Sequence, residues 1–296
     1  MERELANAVA EAICAATGAP FTVRGREGVG GGCINDAWRL DGDGRSFFVK
    51  LNDPAREEMF AAEFAGLEEL RAAQAVRVPA PVCVGVTAHA AFLVLEWLEL
   101  GRGGGAGYEL LGRRLAAQHR ITRPGFGWSR DNTIGSTPQP NRPDADWARF
   151  WGEQRLGHQL ALAAANGHRG RLLQRGERLL AALPVLLAGH APAAALLHGD
   201  LWSGNVAFTR DGAPVIFDPA VYYGDRETDL AMTELFGGFP AVFYDAYREV
   251  WPLDPGYDLR RTLYKLYHVL NHLNLFGGGY RAQAEAMIDA LLSEVN

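Results

Sequence analysis

The 296-residue sequence predicts an α+β fold of two lobes, a small antiparallel β-rich lobe over residues 1–98 and a larger, mostly helical lobe over 99–296. Three observations predict it. Short apolar and β-branched runs separated by Gly and Asp turns fill the first hundred residues, as in a meander of strands. A flexible stretch, GRGGGAG from Gly101 to Gly107, then interrupts the pattern. Beyond it apolar residues recur at helical spacing, with one late hairpin around Asp211-Gly212.

Composition narrows the function classes. A net charge of -6 supplies no global basic field for nucleic acid or an anionic membrane. No run approaches the roughly 20 apolar residues of a membrane span, and the acidic, Ala-rich N-terminus lacks a signal-peptide pattern, so a cytoplasmic protein is expected. Cys14, Cys33 and Cys83 are widely spaced without C-x-x-C, which argues for reduced thiols and against a zinc site.

In the small lobe, Leu5, Val9, Ala12, Ile13 and Ala16 share one face of a helix that Gly18 and Pro20 end. Phe21 to Arg24 reads as a strand, followed by REGVGGGCIN and a strand from Ala37 to Leu40. Glycines 28, 30, 31 and 32 let backbone N–H groups approach a phosphate, although Gly-rich hairpins are often simple turns and this one fits no standard phosphate-loop pattern. Strand Ser46 to Leu51 carries Lys50 among apolar neighbours, where a lysine needs an anionic partner. Glu63, on a helix from Met59 to Ala73, lies between the packing positions Phe60 and Phe64 and is the expected carboxylate. Strands Val82–Val86 and Ala91–Leu95 follow. The latter runs into a hinge at which backbone groups near Glu96 and Leu98 offer hydrogen bonds to an adenine edge.

The stretch from Leu196 to Asp229 carries the chemistry. Leu196 and Leu197 deliver Asp200 to a loop; Val206 to Phe208 and Val215 to Phe217 form a hairpin that returns Asp218 to Asn205. One carboxylate stands apart while an amide and a second carboxylate converge. This suits phosphoryl transfer, in which Asn205 and Asp218 give hard oxygens to Mg²⁺ and Asp200 accepts a hydroxyl proton. The spacing resembles the H-x-D-x-x-x-x-N loop and metal-binding Asp of the protein-kinase-like fold, which makes the expected architecture a two-lobed member of that class. His198 reads as a structural hydrogen-bonding residue. Pro219 replaces the usual Phe-Gly and no A-P-E segment follows, which argues against activation-loop control. The segment Phe126 to Leu156 is rich in aromatic residues and amides. Trp147, Phe150 and Trp151 read as packing, and Phe126 to Asn141, with Trp128, as a wall or lid over an acceptor. In the last third, Leu259, Leu263, Leu266, Tyr267, Leu270 and Leu273 mark a core helix. His268 and His272, one turn apart on it, read as satisfied histidines, with His272 and Tyr280 within reach of an acceptor.

Taken together, GGGCIN, Lys50 in FVK, FGW…NTIGSTPQPN…DW..FW, HGDLWSGN and FDPAVYYGDRETDLAM make the chain resemble the fructosamine kinase (ketosamine 3-kinase) family from about Gly28 to Tyr280. The resemblance implies ATP-dependent phosphorylation of the 3-hydroxyl of a ketosamine, free or protein-bound, whose unstable 3-phosphate then eliminates and releases the amine; bacterial members tend to prefer ribulosamines and erythrulosamines. It implies Asp200 as base, Asn205 and Asp218 as Mg²⁺ ligands, and Lys50 and Glu63 on the ATP phosphates, with Gly30, Gly31, Gly32 and Cys33 covering them. Trp202 would stack on the linear sugar, and Tyr222 and Tyr223 would border it. Asp225 and Asp229 would fix the catalytic loop, Asp229 also capping a helix from Leu230 to Phe236. Cys33 matches a phosphate-loop cysteine, so the chain would be a monomer or a redox-linked dimer. Two alternatives stand beside this: an aminoglycoside or other small-alcohol kinase, and a catalytically idle nucleotide-binding module.

Overall fold

A computed structural model describes residues 1–30 and 34–295; Gly31, Gly32 and Cys33, three of the residues expected to cover phosphates, lie outside the described residues. The chain divides into two compact units, Met1–Gly107 with Ala207–Pro219, and Tyr108–Val206 with Ala220–Asn296. The first unit therefore extends past residue 98 and takes in the late hairpin, where a single cut between 98 and 99 was expected.

The first unit opens with helix α1 (Arg3–Thr17), closed by Gly18 in the left-handed conformation at φ 67°. Its buried face, Val9, Ala10 and Ile13, packs on Phe21, Leu40, Phe47, Val49, Phe92 and Val94. The strand expected at Phe21 to Arg24 does not form. Phe21 turns into the core edge-on to Phe47, and Thr22 N–H goes to the Asp43 carboxylate, so the strand begins only at Gly25. Strands β1 (Gly25–Val29), β2 (Asp36–Gly42) and β3 (Arg45–Asn52) form an antiparallel meander. Helix α2 (Glu57–Ala72) enters through Pro54, with Asp53 accepting from Ala55 N–H. Strands β4 (Pro81–Val86) and β5 (Ala91–Glu96) complete a sheet of order β1-β2-β3-β5-β4. The short β6 (Leu100–Gly101) follows.

In the second unit, α3 (Gly105–His119) leads to β7 (Thr122–Arg123) and the small hairpin β8 (Asn132–Ile134) and β9 (Thr137–Gln139). Helix α4 (Trp147–Trp151) runs through a π-helical turn, Gly152–Gly157, into α5 (His158–Ala165), and α6 (Arg171–Leu186) follows. Strand β10 (Ala194–Leu197) is entirely buried and precedes the loop that carries Asp200. The hairpin β11 (Val206–Thr209) and β12 (Pro214–Ile216) turns through Gly212 at φ 84° and pairs with β6, which is why it belongs to the first unit. Strand β13 (Tyr222–Gly224) returns to the second unit and sandwiches β10 against β7. Helices α7 (Glu227–Thr233), α8 (Ala241–Val250), α9 (Tyr257–Phe276) and α10 (Tyr280–Ser293) close it, with α7 buried along its whole length.

The aromatic-rich segment, expected as a wall or lid, is held down by hydrogen bonds along its length. Phe126 N–H bonds Asp144, Trp128 N–H bonds Asn141, and Gly127 bridges to Tyr223. Asn132 and Gln139 donate their amides to the carbonyls of Val221 and Ala220. Arg155, fully buried on the π-helical turn, donates to Pro140 O and Asn141 Oδ1 and lies 4.1 Å from the centre of the Tyr222 ring and 4.6 Å from that of Phe150. Aromatic faces stabilise a cation there that burial alone would disfavour. Trp147, Phe150 and Trp151 pack as expected.

Candidate active site

Lys50 sits where β3 crosses the middle of its sheet, paired with Leu93 of β5 on one side and Ala37 of β2 on the other. Only 5% of it is exposed. Its Nζ donates to Glu63 Oε1 at 2.5 Å and to Asp218 Oδ1 at 2.7 Å. Burial opposes the ammonium charge, but the two carboxylates, Asp218 foremost, outweigh it and hold the lysine protonated well beyond its ordinary range. Burial pushes the Glu63 carboxyl upward against the pull of Lys50. The Lys50–Glu63 pair was expected; the second carboxylate was not.

Asp218 follows β12 and has φ 56°, one of three non-glycine residues with a positive φ among the described residues. Strain of that kind, held by surrounding structure, collects where side chains must be aimed.

Asp200 follows β10. Asn205 donates from Nδ2 to Asp200 O at 2.8 Å and to Asp200 Oδ2 at 3.2 Å. Those bonds turn the amide nitrogen toward Asp200 and leave the carbonyl oxygen as the atom suited to a hard cation. Asp229 accepts His198 N–H and Gly199 N–H, one on each oxygen, both at 2.8 Å; the next amide, Asp200 N–H, goes to His198 Nδ1 at 3.3 Å. His198 is thus the structural residue expected. Gly199 has φ 83°, and a Cβ there would lie 2.0 Å from Ala220 O, so the loop tolerates only glycine. Asp229 loses solvent on burial, which alone would raise it, yet the His119 hydrogen bond and the backbone donors bring it below the usual carboxylate range.

Two expected roles change. Asp229 lies inside α7 rather than capping a later helix. Asp225 does not reach the catalytic loop; it accepts His190 Nε2 and the Tyr264 hydroxyl at 2.6 Å each and Glu227 N–H at 3.0 Å. Glu227 pairs with Arg260 through both oxygens, so the close grouping of His190, Asp225 and Glu227 is an ionic lock, its oxygens already engaged.

The sequence-predicted adenine and acceptor residues divide. Glu96 N–H is taken by Ala80 O at 2.8 Å, and its carboxylate holds Arg77 and Ala80 N–H, so its amide is not the spare hinge donor expected. Leu98 lies just past β5, outside the sheet. Trp128 and Tyr223 are each 4% exposed, and Arg123 covers the Tyr223 ring. Trp202 is half-buried and begins a chain of rings: Phe236 at 6.0 Å, His272 at 4.6 Å from Phe236, then Tyr280 at 5.2 Å and Phe276 at 5.5 Å from His272. Phe236 and Phe276 are exposed. Sequence reasoning missed Phe236 and Phe276, because ring proximity across α9 and the turn after α7 leaves no trace in local spacing.

An antiparallel five-stranded sheet with a lysine–glutamate pair in one unit, and a largely helical second unit that holds the Asp200–Asn205 loop, are the marks of a kinase-like phosphotransferase. The fructosamine kinase family model matches residues 5–294, and the chain belongs to that family. It is 50% identical over 285 residues to a probable ketoamine kinase of Synechocystis sp., covering 96% of each chain. It is 45% identical over 267 residues to the chloroplastic protein-ribulosamine 3-kinase of Arabidopsis thaliana, covering 89% of this chain and 81% of that one. Among solved structures, one assigned as a fructosamine-3-kinase from Haemophilus somnus superimposes with a TM-score of 0.89 at 29% identity, covering 96% of each.

Proposed function

We propose that this chain phosphorylates the 3-hydroxyl of ketosamines with ATP, favouring ribulosamine and erythrulosamine adducts over fructosamines, and so initiates release of the amine. The observation that carries the reading is the Asp200–Asn205 bond pair on a loop whose N–H groups are fixed by Asp229. Its support is membership of the fructosamine kinase family, whose model spans almost the whole chain.

In this reading the Asp200 carboxylate accepts the proton of the attacking hydroxyl. The hydroxyl oxygen bonds to the γ-phosphorus as the bond to the ADP oxygen breaks, giving the ketosamine 3-phosphate and ADP. Lys50, set by Glu63, holds the α/β-phosphates; Gly30, Gly31, Gly32 and Cys33 cover them. Asn205 and Asp218 would hold Mg²⁺, since an amide oxygen and a carboxylate are the hard donors that ion prefers. When bound, the ion supplies charge neutralisation on the β- and γ-phosphates. Trp202 presents an apolar face to the linear sugar. An apolar ring face suits an uncharged open-chain sugar, which favours the ketosamine reading over the aminoglycoside one.

The test is ATP consumption with ribuloselysine, fructoselysine and kanamycin, for wild type and Asp200→Asn, with and without EDTA. Turnover of ribuloselysine above fructoselysine, abolished by EDTA and lowered at least ~10²-fold in Asp200→Asn, is the expected result. Kanamycin turnover alone, or ATP binding without turnover of any acceptor, would overturn it in favour of an antibiotic kinase or an idle module.

A further inference from the structure

His119, the last residue of α3, is fully buried and touches no reacting group, yet it joins the carboxylate that orders the catalytic loop. Its Nε2 lies 3.1 Å from Asp229 Oδ2 and its Nδ1 2.8 Å from the Tyr247 hydroxyl. The protonation pattern follows from these partners. Asp229, with its carboxyl held below the usual range, is an acceptor only, so Nε2 carries a hydrogen. Burial keeps the Tyr247 hydroxyl protonated, so it is able to donate to His119 Nδ1. Arg226 Nη1, in turn, donates to the Tyr247 oxygen at 3.3 Å. Arg226, Tyr247 and His119 thus form one hydrogen-bonded series that ends on Asp229. The same carboxylate ends on His198 and Gly199 N–H, immediately before Asp200.

We propose that His119 is a positioning residue for phosphoryl transfer: its imidazole, hydrogen-bonded through Nε2 to the Asp229 carboxylate and through Nδ1 to the Tyr247 hydroxyl, fixes the rotation of that carboxylate, and thereby the backbone that aims Asp200. This rests on Asp200 being the base. Without the third donor, the carboxylate still has two backbone N–H groups but no fixed side-chain partner, and it can turn within its pocket. A displacement of about 1 Å at a base can cost ~10²-fold in rate. The effect falls on kcat, because neither ATP nor the acceptor touches His119.

The experiment compares His119→Leu and His119→Gln, since a Gln amide can donate to Asp229 while its oxygen accepts from Tyr247. Readouts are kcat, both KM values, and hydrogen exchange of the 196–201 amides, at a temperature where circular dichroism shows each variant folded. Expected for His119→Leu is a kcat lower by ~30–100-fold, both KM values within about twofold of wild type, and faster exchange at His198 and Gly199. For His119→Gln the rate returns to within about fivefold of wild type. An unchanged kcat in His119→Leu, equal losses in the two variants, or a loss confined to KM would overturn the proposal. Failure of the base assignment is read separately, from full activity in Asp200→Asn.

Discussion

Asp218 reaches Lys50 at 2.7 Å from a backbone held in the left-handed region, so a buried lysine has two carboxylate partners, one of them on a strained turn. The three charged groups differ in exposure: the Asp218 side chain is 47% exposed and Glu63 only 12%. Removing the lysine therefore strands Glu63 far more than Asp218.

Lys50→Met is expected to abolish phosphoryl transfer and to lower unfolding free energy by about 3 kcal/mol, the cost of an unpaired buried carboxylate. Adding Glu63→Leu takes that charge away and should restore most of the stability while activity stays absent. Denaturant titration of the two variants beside wild type checks this. A double variant no more stable than Lys50→Met would show that the loss came from packing rather than from the stranded charge.

The positive φ of Asp218 makes its own test. Ala is ordinarily favoured over Gly by about 0.5–1 kcal/mol, but a left-handed backbone penalises the Cβ by roughly 1–2 kcal/mol. Asp218→Gly should thus be at least as stable as Asp218→Ala in thermal unfolding. Both lose the same side-chain contacts, so the difference isolates the backbone. Asp218→Ala melting above Asp218→Gly would mean the turn does not hold that conformation.

Much of the fold was legible because it is written locally. The apolar period of α1, the alternation around Lys50 and the Asp211-Gly212 turn each sit within a few residues, and the structure places α1, β3 and the β11–β12 hairpin there. Phe21 was misread as strand because an aromatic residue in a β-like run can serve as a core plug beside Phe47 instead. Composition does not say which face a ring shows, so the burial of Trp128 and Tyr223 beside the Gly127–Tyr223 bridge could not be read from the sequence. His119 left no local signal, its partners lying 110 and 128 residues away.

Trp202 can be moved without being replaced. A Cβ on Gly204 would lie 2.3 Å from the indole, against the far end of a side chain that can swing aside. Gly204→Ala should therefore displace the ring from its edge-on contact with Phe236 and raise the ketosamine KM by about tenfold, roughly 1.4 kcal/mol, with the ATP KM unchanged. Steady-state kinetics with each substrate varied in turn decides it. Equal rises in both KM values would indicate a disturbed loop rather than a lost stacking surface.

His268 gives the acid limb of the stability curve. It is 3% exposed on α9, its Nδ1 has no hydrogen-bond partner, and burial, reinforced by His272, lowers its pKa to about 3. The folded state therefore holds it neutral at pH values where the unfolded chain, with an ordinary histidine near 6.5, binds a proton. The unfolded state is then favoured as pH falls from about 6.5 toward 3, by up to roughly 1.4 kcal/mol for each unit. Only below the ordinary carboxylate range do Asp225 and Asp229, both held below their usual values, add to the acid loss. In His268→Leu, which gives up the unpartnered Nδ1 and the ring contact with Tyr267, unfolding free energy between pH 6.5 and 4 should decline about 3 kcal/mol less than in wild type. Urea titrations at half-unit pH steps measure both slopes. Parallel slopes would show that His268 is protonated in the folded protein, and that the buried nitrogen has a partner.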